Sequence, residues 1–493
     1  LENDESKGEM LSFYKVSEQA SVMIEKDSEG RLFYRVIEPP LRPEEHRLLD
    51  DVRRILEEEG VMEPRLFLES DERIREDLRK KIRELVERRG LKVEEPVEMK
   101  LEYYILRDIV GYGRIDVPYN DPYVEDISCG GVGVPVYVFH RDYGWLRTNI
   151  YFKDADELRA FIRRLAIRAG QDISAAKPIA EGPLPPKGYR VHAVLGAVAR
   201  QGPTFVIRRF SAEVFTPSDL ISLGTLSPEI AAYLWMLVEE GASMMIIGPM
   251  ASGKTTMLNA VSMFIPPDSK VVSVEETPEL KLPLENWVSL VTRPSFEPGV
   301  LDVTLFELLK SSLRQRPDYL IVGEIRGEEA YAFFQAAAVG HGGLTTMHAE
   351  SPEEAIRRLE TPPMNVPKSM IPLVKIMVSM AKVSGMKVRR KLRSVTEIVG
   401  FDPMTGSISL NKVYEWRPEL DEWRKTGKTY LLEWLADRRG ISIESIEEEY
   451  ERRTVVMKWA AKMKPGLSLF REIIRRYYFN PTRVYERARI EVT

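Results

Sequence analysis

Between about residues 228 and 400 the hydrophobic positions alternate between two kinds of segment. Short apolar runs without polar interruption, at 244–247, 271–274, 319–322 and 344–347, have the length and continuity of strands buried on both faces. Longer stretches at 230–240, 257–264, 303–314 and 328–339 separate them and carry residues suited to helices. Alternation of this kind predicts a mostly parallel sheet covered by helices on both sides.

The pattern differs elsewhere. Residues 1–100 suggest a short strand pair, 21–25 and 32–37, beside highly charged helices at 44–59 and 70–89, with a break at Pro39-Pro40. Dense charges at i,i+4 spacing predict a small, solvated α/β subdomain there. Residues 101–213 predict an α+β domain. Its helix 101–110 ends at Gly111-Tyr112-Gly113, strands follow at 135–140 and 146–152, a helix at 154–169, and a last strand pair at 189–198 and 204–210. A linker is expected at 214–227. In the segment 366–386, Lys368, Lys375 and Lys382 recur every seven residues, which predicts a helix with one wet face and with Met370, Met377 and Met380 packed in the core. From 401 to 493 the pattern gives one hairpin around Asp402-Pro403-Met404-Thr405-Gly406, then a charged helical subdomain.

Composition narrows the class. With 493 residues and about 150 per domain, three or four units are expected. Lys and Arg number 71 against 76 Asp and Glu, so no global basic field favours nucleic acid. Cys129 is the only cysteine, which rules out an intramolecular disulfide and a Cys-cluster zinc site. No stretch of about 18 apolar residues suggests a membrane span, and no secretory signal pattern opens the chain, so a cytoplasmic location is expected.

The strongest chemical signal follows the apolar run 244–247. Gly248, Pro249, Met250, Ala251, Ser252, Gly253, Lys254, Thr255 and Thr256 form a complete G-x-x-x-x-G-K-T phosphate loop between a strand and a helix. Backbone N–H groups of such a loop wrap the phosphates of a nucleoside triphosphate, the lysine reaches the β- and γ-phosphates, and the Thr255 hydroxyl is available to Mg2+. Hydrolysis also needs groups at the carboxyl ends of neighbouring strands. Glu275 follows the run 271–274 and is placed to polarise water as a general base. Glu324 follows 319–322, where an aspartate would be usual, and its longer reach suits the water shell of Mg2+ or the attacking water. His348 leaves the run 344–347 on the same side as Thr346, as a candidate γ-phosphate sensor.

At these residues the chain resembles the ring-forming ATPases of type II and type IV secretion, type IV pilus assembly and retraction, and archaellum assembly. The resemblance rests on the phosphate loop, the acidic box Glu275 to Leu280, the run Leu313-Arg314-Gln315-Arg316-Pro317-Asp318 leading into Val322-Gly323-Glu324-Ile325-Arg326-Gly327, and the box Gly343 to His348. Gly111-Tyr112-Gly113 and Val124-Glu125-Asp126-Ile127 add to it, so that it spans roughly residues 100–400. It implies a RecA-like P-loop NTPase core in a homo-hexamer, with ATP as substrate and Mg2+ as cofactor between two domains of each subunit. It also implies that arginines of the N-terminal domain complete the phosphate site, at the matching positions Arg190 and Arg208, with Arg209 flanking. The missing cysteines depart from the bacterial secretion branch; the charged N-terminal segment and helical tail are more similar to the archaeal-type members.

The resemblance implies a cytoplasmic motor ATPase, peripheral to the inner face of the membrane, that powers secretion or filament assembly through a polytopic platform protein. The basic stretch Lys387-Val388-Arg389-Arg390-Lys391-Leu392-Arg393 is a candidate face for anionic lipid or for that platform, with a solvated charge run as its plainer reading. No nucleic-acid partner is expected. Two other readings stay open: a nucleic-acid-translocating ATPase, which the charge and the absence of helicase boxes do not favour, and a nucleotide-gated scaffold.

Overall fold

Alternating burial along the first two hundred residues builds a single sheet. The computed structural model describes residues 9–58, 72–88, 95–196, 198–209, 214–293, 301–383, 385 and 387–492. By internal contacts the chain divides into two units, Leu1–Ala212 with Met386–Val388, and Glu213–Gly385 with Arg389–Thr493.

In the first unit, β1 (Glu9–Lys15), β2 (Ser21–Lys26) and β3 (Leu32–Ile37) precede the helices α1 (Pro43–Glu58), α2 (Glu72–Arg88), α3 (Glu95–Ile109) and α4 (Asp116–Asn120). There follow β4 (Val124–Cys129), β5 (Pro135–His140), β6 (Gly144–Tyr151), α5 (Ala155–Arg168), β7 (Ile179–Leu184), β8 (Tyr189–Val194) and β9 (Thr204–Arg208). The sheet order is β1-β2-β3-β6-β5-β4-β9-β8-β7. The division expected near residue 100 therefore falls inside one sheet. Val22, Ile24 and Tyr34 alternate inward along β2 and β3 and share a core with Val138 and Leu146, so these strands need the later ones to bury their apolar face. Buried Asp121 reinforces the join by accepting from the hydroxyls of Tyr14 at 2.8 Å and Tyr34 at 2.6 Å. Ser70 and Arg89, at the edges of the expected second helix, lie outside the described residues.

The second unit carries the helix–strand alternation. Its elements are α6 (Pro217–Ser222), α7 (Pro228–Glu239), β10 (Ser243–Ile247), α8 (Lys254–Ser262), β11 (Val271–Glu275), β12 (Trp287–Val291), α9 (Leu305–Leu313), β13 (Tyr319–Val322), α10 (Glu329–Ala338), β14 (Gly342–Met347) and α11 (Pro352–Glu360). After these come β15 (Val374–Val383), β16 (Arg389–Asp402), β17 (Ser407–Arg417) and β18 (Glu422–Lys425). Helices α12 (Tyr430–Arg439), α13 (Ile443–Met463), α14 (Leu467–Phe479) and α15 (Pro481–Val492) complete it. The sheet order is β12-β11-β13-β14-β10-β15-β16-β17-β18, parallel from β12 to β15 and antiparallel beyond. Strand β10 is buried on both faces: Met244 and Ile246 pack with α7 and α8, while Met245 and Ile247 pack with α10.

Two expectations change here. The segment 366–386 is not a helix: a 3-10 turn at Lys368–Leu373 leads into β15, parallel to β10. Val374, Ile376 and Val378 are the β-branched residues a strand prefers, and the central sheet outweighs the seven-residue lysine spacing. Met377 and Met380 are core residues as expected, and Met370 packs against the core. Residues 401–493 are not separate either, because β17 and β18 extend the same sheet and Met457, Trp459, Phe470 and Tyr477 share a core with Trp235 and Phe264.

Two buried charges fasten this tail. Arg453 of α13 pairs with Glu239 at the end of α7 and with Glu449 at 2.8 Å, its guanidinium 4.5 Å from the Trp235 ring centre. Glu397 of β16 is fully buried and accepts from Tyr233 Oη and Asn411 Nδ2, each at 2.6 Å, and from the N–H groups of Tyr430 and Leu431, each at 3.1 Å. The last two are otherwise unpaired donors at the start of α12. A Glu397→Ala variant strands four donors, with an expected loss of about 3 kcal/mol in stability, read as a lowered thermal midpoint of the full chain.

Candidate functional site

The carboxyl ends of β10, β11, β13 and β14 lie along one edge of the parallel sheet, and the charged residues follow them in sequence. The phosphate loop leaves β10 at Gly248, where an added Cβ would stand 2.7 Å from the Met380 carbonyl oxygen, so a side chain has no room. Ala251 and Gly253 turn the loop with φ of +58° and +91°, and α8 begins at the next residue, Lys254. Ser252 Oγ donates to the Pro249 carbonyl at 2.8 Å across the turn.

Lys254 is buried, and its Nζ donates to the Pro249 carbonyl at 3.1 Å. The same ammonium lies 3.1 Å from His348 Nδ1. Burial brings the Lys254 pKa down to about 8, with Glu324 acting against the shift. His348 is held below its ordinary value by burial and then by the charge of Lys254. Its Nε2 is 3.1 Å from Glu324 Oε1, an ion-pair distance that becomes a charged contact when the ring is protonated. Glu324 Oε2 accepts from Arg326 Nη2 at 2.6 Å, and Arg326 reaches Glu276 at 3.5 Å. Thr346 Oγ1 donates to the Gly323 carbonyl at 2.8 Å, tying the end of β14 to the end of β13.

Glu275 ends β11 almost fully buried. Its Oε1 accepts from the backbone N–H groups of Glu279 and Leu280, both at 3.0 Å, while Oε2 is buried with no hydrogen-bond partner. Burial pushes its pKa up to about 7, against the lowering effect of the two N–H groups. The carboxyl group is thus fixed by one oxygen, and the other keeps its hydrogen-bonding capacity.

Magnesium fits this donor set. Thr255 offers a hydroxyl in the first turn of α8, and Glu324, whose oxygens face His348 and Arg326, follows strand β13. Among the described residues no cluster of three or more His, Cys, Asp or Glu is placed to hold a metal by protein ligands alone. That donor set suits a magnesium ion that takes one protein hydroxyl and completes its shell with phosphate and water.

Arg190 and Arg208 belong to the first unit, directly opposite each other across the β8–β9 pair. Arg190 pairs with Glu181, and Arg208 Nε lies 3.2 Å from Asp126 Oδ1; both side chains are at least half exposed. Arg209 has a different task. Its Nη1 donates to the carbonyls of Asp121 and Val124, the latter at 2.7 Å, and its guanidinium lies 4.9 Å from the Tyr189 ring centre.

The basic stretch 387–393 is solvated only in part, at Lys387, Arg389 and Arg393. From Arg389 onward it is the start of β16; Lys391 and Leu392 are buried, and Arg390 Nε donates to the Ala251 carbonyl of the phosphate loop at 3.2 Å. The sequence reading also gave no role to Arg326, although it lies two residues past the strand-end Glu324. Arg390 lies 136 residues beyond Lys254, and only the sheet order brings it to the loop.

A family model described as Type II/IV secretion system protein matches residues 136–464. The uncharacterized protein MJ1287 of Methanocaldococcus jannaschii is 46% identical over 263 residues, covering 53% of this chain and 97% of its own length. A type IV secretion system protein PtlH homolog of Bordetella bronchiseptica is 30% identical over 259 residues, covering 48% of this chain and 76% of its own. The X-ray structure of the Legionella pneumophila ATPase DotB is 18% identical with a TM-score of 0.42, covering 73% of this chain and 91% of that one. With the phosphate loop leading from a central parallel strand into α8 and the family match spanning most of the chain, this is a RecA-like α/β core, and the chain belongs to the Type II/IV secretion system protein family.

Proposed function

We propose that the chain is a Mg2+-dependent ATPase, working as a homo-hexamer, that powers protein secretion or pilus- or archaellum-like filament assembly through a membrane platform protein. The observation that carries this reading is the convergence of Lys254, His348 and Glu324 through contacts of 3.1 Å beside the unpartnered buried oxygen of Glu275. The loop N–H groups and Lys254 would hold the triphosphate, and Thr255 the magnesium. Magnesium supplies charge neutralisation to the phosphate oxygens when bound. Glu324 would orient water of the ion's shell, and Glu275 would accept the proton of the attacking water.

His348 lies between Lys254 and Glu324, so it would report whether a γ-phosphate has displaced Lys254 from it. Arg190 and Arg208 would add planar, multi-donor cations to the phosphates, which gain charge on the way to the transition state. Their acidic partners Glu181 and Asp126 would be exchanged for phosphate at that moment. No helix among the described residues is long and apolar enough to cross a membrane, and the chain would act peripherally on the inner membrane face from the cytoplasm.

Steady-state ATP hydrolysis tests the reading. Glu324→Gln is expected to keep ATP bound and lower kcat by about a hundredfold or more, as for loss of a water-orienting group; hydrolysis at the parent rate would overturn the assignment. Stimulation by single-stranded DNA would favour a nucleic-acid motor instead, and no hydrolysis under any condition a nucleotide-gated scaffold.

The pH profile has a defined sign. Glu275 must be ionised to accept a proton, so kcat/KM is expected to rise as pH passes about 7. Lys254 must be protonated to bind phosphate, so kcat/KM is expected to fall above about 8. The result is a narrow bell, measured by initial rates at constant ionic strength.

Arg190→Ala subunits mixed with Glu324→Gln subunits are expected to regain activity if the arginine serves a neighbouring subunit. Mixtures as inactive as their components would place its action within one subunit.

A further inference from the structure

The phosphate loop has a structural partner that its own motif does not reveal. Strand β16 begins Arg389-Arg390-Lys391-Leu392, and strand geometry sends alternate side chains to opposite sides. Arg389 and Lys391 turn one way and meet the same carboxylate: Arg389 Nη1 is 3.0 Å from Asp421 Oδ2, and Lys391 Nζ is 2.8 Å from Asp421 Oδ1. Arg390 turns the other way, toward the loop.

Around Asp421 this is a built site. Lys391 is buried, with its ammonium 5.4 Å from the Trp423 ring centre and 5.9 Å from that of Trp416. Those two tryptophans stand opposite each other in the β17–β18 pair. Trp416 Nε1 donates to Asp421 Oδ1 at 2.9 Å, and Trp423 Nε1 to the Leu392 carbonyl at 2.7 Å. The Leu392 N–H donates to the Thr225 carbonyl at 2.8 Å. Asp421 closes the β17–β18 turn at φ +52°, and the Lys391 ammonium hydrogen-bonded to it holds its carboxyl below the usual range. The residues on either side of Arg390 are therefore held, which fixes the backbone from which its side chain leaves toward the loop.

On the loop side, Arg390 Nε donates to the carbonyl of Ala251, a non-glycine residue at φ +58°. A left-handed conformation costs such a residue about 1–2 kcal/mol, and the charge-assisted hydrogen bond to its carbonyl offsets part of that cost. The Arg390 stem crosses Gly253, whose added Cβ would stand 3.3 Å from Arg390 Cδ. One side chain thus covers both left-handed residues of the loop.

We propose that Arg390 is a positioning residue that holds the phosphate loop in its nucleotide-accepting shape, and that Asp421 in the β17–β18 hairpin sets nucleotide affinity by fixing Arg390. This rests on the reading of the loop as the ATP site. The role differs from that of Lys254, because Arg390 acts on the loop backbone at Ala251. It also makes a surface hairpin a control point for the site.

The test measures the affinity of the full chain for a fluorescent ADP analogue with Mg2+, KM and kcat for ATP, and the thermal midpoint without nucleotide. Lys254→Ala reports on the site reading: if that variant binds nucleotide as the parent does, the loop is not the site and the failure belongs to that reading. With Lys254→Ala impaired, Arg390→Gln is expected to weaken binding about tenfold, with the loss in KM rather than kcat and the nucleotide-free midpoint unchanged. Arg390→Lys, which keeps charge but not the Nε–H, is expected to recover only part of the loss, and Asp421→Asn to weaken binding about threefold. Parent affinity in Arg390→Gln overturns the proposal, as does a loss confined to kcat or one that only follows a lowered midpoint. Parent affinity in Asp421→Asn overturns the hairpin's part in it.

Discussion

The register of β10 between β14 and β15 is the constraint on which the site depends. Ile247 pairs with Met347 on one side and with Ser379 on the other. The residues that follow each of these, Gly248, His348 and Met380, therefore arrive together. A slip by one residue would turn every β10 side chain to the opposite face and separate Lys254 from His348. Gly248 opposes the slip, because any side chain brought to its place would put its Cβ 2.7 Å from the Met380 carbonyl oxygen. The chemistry at the edge is thus positioned by a close backbone approach that takes no part in it.

The charges at that edge form a connected set. Lys254 meets His348, His348 meets Glu324, Glu324 meets Arg326, and Arg326 meets Glu276. Each cation that a triphosphate would attract is engaged by a neighbour, so binding exchanges contacts rather than filling an uncompensated field. Such an exchange lowers net affinity but couples the members, since displacing Lys254 changes what His348 can offer Glu324. Glu275 stands outside the set with its open oxygen, where burial, opposed by the N–H groups of Leu280 and Glu279, governs its protonation.

Much of this was legible in the sequence because the phosphate loop and the three strand-end residues are each local: an apolar run, then a charged or glycine-rich exit. Glu275, Glu324 and His348 are found by that rule alone. Strand β15 is hidden because three lysines at seven-residue spacing mimic a helix face, although Val374, Ile376 and Val378 alternate as a strand's residues do. With a helix expected there, the basic residues after it have no sheet to join, and a solvated run is the plainer expectation for Arg390 and Lys391. The environment of Lys391 is made by Asp421, Trp416 and Trp423, contributed from 25 or more residues downstream, and that of Arg390 by the phosphate loop far upstream, so no short window contains both halves. The first strands show the same limit, since β3 finds its partner in β6 across more than a hundred residues.

Arg453 bears on how the second unit carries load. Helix α7 runs directly into β10, and its last turn is clamped to α13 by a guanidinium held between Glu239 and Glu449 and stacked on Trp235. A force applied at the phosphate loop passes along β10 into α7, and from there into the helical layer through a short, directional, buried link. Packed cores resist compression, so this path is stiff along the helix axis. The C-terminal helices and the strand that ends in the loop are therefore parts of one packed body, joined by side chains rather than by a hinge.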